Sequence, residues 1–264
     1  MVIDFHTHVF PDTLAERAIK VLYDEADGQF EPSHNGTVSG LIHTMNAAGI
    51  DISVNMPVIT RQSQTTSTNQ WAVETCSDRI ISFGAVFPHT DDYQRDIDFV
   101  VSLGLKGIKF HAEYQHFVLD DPQMLRIYDY ALAQGLIILH HGGYDPAFPA
   151  PYRSSPQQFL NVVNAMQGGT IIAAHLGGQG QWDDVEKILA GSDIYLDTSM
   201  GFEYYDHEQF LRIVHKHGAD RILFATDSPW SDARAELKSL RTQPLSAKDI
   251  EMIASGNARR ILGI

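Results

Sequence analysis

Val2-Ile3-Asp4-Phe5-His6-Thr7-His8-Val9 opens the chain, and its reading decides the fold. The apolar start, Val2 to Phe5, reads as a β-strand, and side chains alternate along a strand, so Asp4, His6 and His8 are expected on one face. A doubly wound nucleotide-binding sheet, the main rival architecture, would need a glycine-rich phosphate turn directly after this strand, and His6-Thr7-His8-Val9 is nothing like one. Outward from here, apolar β-branched runs recur at Ile52–Met56, Ile80–Phe87, Leu105–Phe110, Leu136–Leu139, Thr170–Ala174, Ile194–Leu196 and Ile222–Ala225. Between them lie stretches with helical spacing. Met124, Leu125, Tyr128, Ala131 and Leu132 follow Asp121-Pro122, and Phe210, Leu211, Val214 and His215 follow Asp206. Gly49, Gly104, Gly135 and Gly218 stand where helices would end before the next strand. This alternation predicts a single (β/α)8 TIM-barrel domain over residues 1–264.

Composition narrows the setting. The chain has 33 acidic and 19 basic residues, a net charge of −14, which argues against a nucleic-acid backbone binder, since that would need a basic stripe. Cys76 is the only cysteine, so no internal disulfide can form and a reducing cytoplasm is the expected compartment. The first residues lack the basic start, apolar run and cleavage site of a secretory leader, and no segment approaches 18 continuous apolar residues, so no membrane span is expected. The expected partner is a small molecule.

In a barrel of this kind chemistry sits at the carboxyl ends of the strands, which makes each strand end a test. The first ends in His6 and His8. The fourth, Leu105-Lys106-Gly107-Ile108-Lys109-Phe110-His111, places Lys109 and His111 on one face. The fifth ends in His140-His141-Gly142-Gly143, the sixth in His175-Leu176-Gly177-Gly178, the seventh in Asp197-Thr198-Ser199 and the eighth in Asp227-Ser228-Pro229-Trp230. Neutral imidazoles and a carboxylate gathered at one rim are the donor set of a divalent transition metal. His140 and His141 are adjacent and cannot both point inward from a regular strand.

The ordered set of His-x-His, Lys-x-His, His-x-Gly, Ala-His-x-Gly-Gly and Thr-Asp-Ser-Pro resembles the amidohydrolase superfamily. Within it the chain is most similar to the amidohydrolase-2 branch that includes aminocarboxymuconate semialdehyde decarboxylase, over nearly its whole length. The resemblance implies one divalent ion, zinc first with manganese, iron or nickel as alternatives, held by His6, His8, His141 and Asp227. It favours His141 over His140 because Gly142-Gly143-Tyr144-Asp145 matches the family's turn in that register. It places His175 beside a metal-bound water, with Asp227 and His175 as the catalytic pair, and it carries a homodimer as the expected assembly. Members of this branch hydrolyse amides or lactones, hydrate double bonds or decarboxylate acids. A hydrolase acting on an amide, ester or lactone is the first expectation, a decarboxylase of an unsaturated or aromatic acid the alternative, and a non-catalytic metal-binding barrel the third. A TatD-like nuclease would carry Glu on strand four, where this chain has Lys109-Phe110-His111.

Further roles follow from position. Lys109 is open to three readings: a salt-bridged lysine, a partner for a substrate carboxylate, or a carbamate bridging two metals. His111 is expected to touch substrate or relay a proton, with an optional place as a metal ligand, or no role, as the alternatives. Arg153, in the proline-stiffened loop after strand five, is the preferred arginine for a substrate carboxylate, and Trp230 is expected beside a bound ligand. Asp4 is expected to orient a metal ligand by a hydrogen bond, and Asp197 to orient an imidazole or cap the following turn. The segment from Phe10 to Thr37 is expected to hold a short helix near Leu14–Tyr23 and to cover the mouth.

Overall fold

The computed structural model describes residues 1–166 and 168–264. Strands β1 (Ile3–Thr7), β2 (Ile52–Asn55) and β3 (Ile80–Ser82) pair in that order, and β4 (Gly84–Ala85), β5 (Gly107–Phe110), β6 (Ile137–His140), β7 (Ile171–Ala173), β8 (Tyr195–Asp197) and β9 (Ile222–Leu223) continue the ring, every pair parallel. The run Ile80–Phe87, expected as one strand, is divided into β3 and β4 at Phe83. Phe83 turns into the barrel interior and lies over Gly107, where a Cβ would come within 2.5 Å of its ring. Counting β3 and β4 as one staggered strand, eight strands form a (β/α)8 barrel. The seam closes where Phe5 N–H donates to Phe224 O (2.9 Å) and Asp227 N–H to His6 O (2.8 Å).

Two apolar layers hold the ring. Ile3, Phe5, Val54, Met56, Phe83, Ile137, Leu139, Ile172, Leu223 and Ala225 fill the barrel itself. The alternate residues of the same strands, such as Ile108, Phe110, Ile138, Ala173 and Leu196, pack outward on helices that include Tyr93–Ser102, Pro122–Ala133 and Pro156–Ala165. Strand period two thus sorts each run between core and shell.

Strand β1 breaks that rule at a useful place. With Ile3 and Phe5 facing inward, plain alternation would send Asp4 and His6 outward together. The register to β2 shifts between Asp4 and Thr7, three residues on β1 opposing two on β2, and such a bulge re-aims the side chains beyond it. His6 and His8 reach the mouth; Asp4 does not share their face, which corrects the expectation drawn from simple alternation.

Helix α1 (Asp12–Glu25) occupies the segment between β1 and α2 (Val38–Ala48), longer than the short helix expected there. Tyr114 Oη donates to Glu25 (3.4 Å) and Tyr144 Oη to Gln29 (2.9 Å), tying this segment across the mouth. Among the described residues no helix is long and apolar enough to cross a membrane.

Candidate metal centre

At the barrel mouth three donor atoms form a small triangle. His6 Nε2 lies 3.1 Å from His8 Nε2 and 3.2 Å from Asp227 Oδ1, and His8 Nε2 lies 2.9 Å from the same oxygen. The tautomer of His6 follows from its other nitrogen, which faces the buried carboxylate of Asp197 at 3.0 Å: Nδ1 carries the proton, and Nε2 presents a lone pair to the triangle. Asp227 Oδ1 is buried and accepts no well-formed hydrogen bond. Lone pairs crowded this way need a cation, so the residues fit a divalent ion. Donors about 2.1 Å from one ion stand roughly 3.0 to 3.4 Å apart, and the triangle's edges fall close to that spacing.

Electrostatics agree with that fit. Burial raises the Asp227 carboxyl, but the imidazoles of His6 and His8 outweigh it and hold the group well below the usual carboxylate range. Burial, with Lys109 alongside, keeps His6 neutral, as a ligand must be. Asp227 and His175 are non-glycine residues with left-handed backbone, φ 63° and 58°, a conformation kept where surrounding contacts demand it.

The second group stands one imidazole further round the rim. His175 Nδ1 faces the carbonyl of Ser199 at 3.1 Å, an atom that can only accept, so Nδ1 bears the proton and Nε2 accepts from His141 Nδ1–H at 3.0 Å. His141 Nε2 is left buried with a free lone pair. Its ring stacks on His111 at 4.1 Å, and His111 Nε2 is 3.3 Å from Asp145 Oδ2; these three residues form a second cluster able to approach one cation. His141 therefore faces the mouth, but in company with His111 and Asp145 rather than inside the triangle. Both nitrogens of His175 are engaged by protein, whereas the sequence suggested a water beside it. His140 points the other way, stacked on Phe110 (5.2 Å) within the aromatic shell.

Lys109 is 1 % exposed, its Nζ 2.9 Å from His6 Nε2. Burial lowers its pKa to about 8, and it makes no salt bridge among the described residues, so the salt-bridged reading does not hold. Arg153 is 41 % exposed and pairs with the buried Glu113 (3.3 Å) away from the cavity, which removes it from the expected carboxylate site. Asp4 accepts from Thr226 Oγ1 (2.7 Å), Thr226 N (3.0 Å) and His6 N (3.4 Å), and so fixes the residue before Asp227 and the backbone of His6; among the described residues it bonds to no imidazole nitrogen. Orienting the imidazole falls to Asp197, which also accepts from Ser199 Oγ and from His175 N.

All of this opens into one cavity of about 480 Å³. Its floor is His6, His8, Lys109, His111, His141, His175 and Asp227. Its walls are largely apolar, with Trp71, Tyr114, Met200 and Trp230 on the barrel side and Phe10, Leu14, Leu22, Ala26 and Phe30 from the α1 segment. Gly143, at φ 80°, lets the turn after β6 lie against Gln179 of the wall; a Cβ there would fall 2.4 Å from Gln179 N.

A parallel eightfold barrel with histidines and a carboxylate converging at the strand ends is the architecture of a metal-dependent barrel enzyme. An amidohydrolase family model matches residues 3–264, and the chain belongs to that family, in the amidohydrolase-2 branch. Among solved structures, an uncharacterized TIM-barrel protein from Bordetella bronchiseptica is similar over 99 % of this chain and 98 % of its own, at 19 % identity and TM-score 0.80. A dihydroxybenzoic acid decarboxylase from a Polaromonas species, solved with bound manganese and 2-nitroresorcinol, is similar over 99 % of this chain and 96 % of its own, at 17 % identity and TM-score 0.74. A Pseudomonas putida protein provisionally assigned as a 2-pyrone-4,6-dicarboxylic acid hydrolase is similar over 99 % and 97 %, at 14 % identity and TM-score 0.68. Several other similar structures are decarboxylases. No curated protein matches the sequence.

Proposed function

We propose that the chain is a metal-dependent, non-oxidative decarboxylase of an aromatic or unsaturated carboxylic acid. The observation that carries the reading is a buried lysine with no carboxylate partner among the described residues, set beside a metal-type triangle on the floor of a largely apolar cavity. Such a floor is built to take an anion out of water. The recurrence of decarboxylases among structures of this fold supports the choice. The hydrolase expectation gives way because His175, assigned to poise the attacking water, spends both ring nitrogens on Ser199 and His141.

His6, His8 and Asp227 would hold the ion, with His141 as a further donor. Two imidazoles and a carboxylate suit a divalent transition ion such as manganese or zinc. When bound, the ion supplies Lewis-acid charge beside the acid's oxygens. Asp197 keeps His6 in the ligating tautomer, and Ser199, through His175, does the same for His141. Lys109 pairs with the substrate carboxylate. The carbon–carbon bond breaks, its electron pair stays on the substrate carbon, carbon dioxide leaves, and the Lys109 ammonium gives that carbon its proton. Asp227, held ionised, is a ligand rather than the acid. The single cysteine keeps a reducing cytoplasm as the proposed compartment.

The test is carbon dioxide release by manganese-loaded protein from hydroxybenzoates and unsaturated acids, run beside a panel of lactones, esters and amides. Release that disappears in Lys109→Met supports the assignment; turnover of the second panel alone would sink it.

A further inference from the structure

The cavity is much longer than the chemistry on its floor requires. Leu14, Leu22 and Ala26 all line it and fall on one stripe of α1 and its C-cap, at spacings of eight and four residues. At 1.5 Å per residue they span about 18 Å along the helix, several times the reach of one aromatic ring. Leu14 is 54 % exposed and Ala26 is buried, and Phe30 continues the same lining. Charge is distributed just as unevenly. Among the described residues, the only lysine or arginine lining the cavity is Lys109, on the floor, and the lining carboxylates are Asp227, on the floor, and Asp145, beside His111.

We infer that the substrate is an elongated amphiphile: an acid carrying one carboxylate and an uncharged alkyl or aryl tail, the carboxylate at Lys109 and the tail along α1. This rests on the decarboxylase reading for the reaction but makes its own claim about the ligand. A second carboxylate would find no cation along the wall, only neutral donors such as Thr60, Gln64, Ser67 and Thr68, which recover part of the hydration it loses. Discrimination against dicarboxylates therefore belongs to the same feature as affinity for the tail.

The probe is the series of straight-chain alkanoates from butanoate to decanoate, kept below micelle-forming concentration and titrated calorimetrically into manganese-loaded protein. They contain no ring and need no turnover. Dissociation constants are expected to fall up to about fourfold per added methylene while the wall is being covered. Decanedioate is expected to bind at least about tenfold more weakly than decanoate. In Leu22→Asp the chain-length dependence should flatten; the unsubstituted protein's series stands by itself if that variant does not fold. Affinity that does not change with chain length, or decanedioate binding as well as decanoate, overturns the inference. If short hydroxybenzoates are decarboxylated while chain length has no effect, the tail site is lost and the decarboxylase stands. If long alkanoates bind but no acid loses carbon dioxide, the tail site stands and the decarboxylase falls.

Discussion

His140 and His141 are neighbours in sequence and belong to different worlds. Both are buried, and burial holds both imidazoles neutral. His141 looks into the mouth, where His175 fixes its tautomer and its remaining lone pair is available to an ion or substrate. His140 looks into the shell between strand and helix, wedged among Phe110, Tyr128 and Phe159, with neither ring nitrogen hydrogen-bonded among the described residues. His217 shows a third arrangement, also in the shell: Gly191 N–H donates to its Nδ1 (3.1 Å), and its Nε2–H donates to Ile194 O (2.9 Å). The comparison teaches that neutrality is common to buried histidines here, and that the destination of the lone pair separates function from packing.

The sharpest way to break this contrast is at the mouth. Asp227→Ala should lower decarboxylation by about a thousandfold or more and abolish stoichiometric metal, read by mass spectrometry of the purified protein. Chelation should lower the melting temperature of the wild type and leave that variant's unchanged, because a ligand that binds only the folded state stabilises it. In the shell, His217 provides the pH test. Burial lowers its pKa from 6.5 to about 4. Above pH 6.5 both folded and unfolded chains carry it neutral, and no contribution changes. Between 6.5 and 4 the unfolded chain takes up a proton that the folded chain refuses, so stability falls as pH falls, by about 3 kcal/mol in all. Urea titrations across that window should show the loss in wild type and a correspondingly smaller one in His217→Gln.

Asp197→Asn should weaken metal affinity by about 10- to 100-fold with the fold intact, since it releases the tautomer of His6. His140→Phe should keep activity and raise the unfolding midpoint by the equivalent of about 1 kcal/mol, because two buried, unpaired nitrogens are replaced by carbon. A clear loss of activity in that variant would dissolve the contrast between the two histidines. Arg153→Ala should alter the substrate KM by less than about threefold, its partly exposed pairing with Glu113 being worth little.

Much of this could be read in the sequence because strand periodicity is local. The run Lys109-Phe110-His111 declared its inward and outward residues, and the structure keeps them. The bulge in β1 could not be read, because it is a mismatch between β1 and β2 and exists only when the two are side by side. Asp4 was misplaced for that reason. The division at Phe83 was hidden likewise, since it depends on the space left by Gly107 on the next strand. Arg153 looked free because its partner Glu113 lies 40 residues earlier in the chain. The Phe10–Thr37 segment was legible as a helix over the mouth, but which of its side chains line the cavity requires knowing what the helix leans over. Asp197 lay within reach of sequence reasoning as an orienting carboxylate, and only the identity of its imidazole needed three dimensions.

The seam where Asp227 N–H donates to His6 O has a consequence for biosynthesis. His6 and His8 leave the ribosome more than two hundred residues before Asp227, so no ion can be captured by the complete triangle until Asp227 has been made. Metal loading must follow closure of the ring, and a cell short of the ion would accumulate finished, closed and empty barrels rather than stalled or truncated ones.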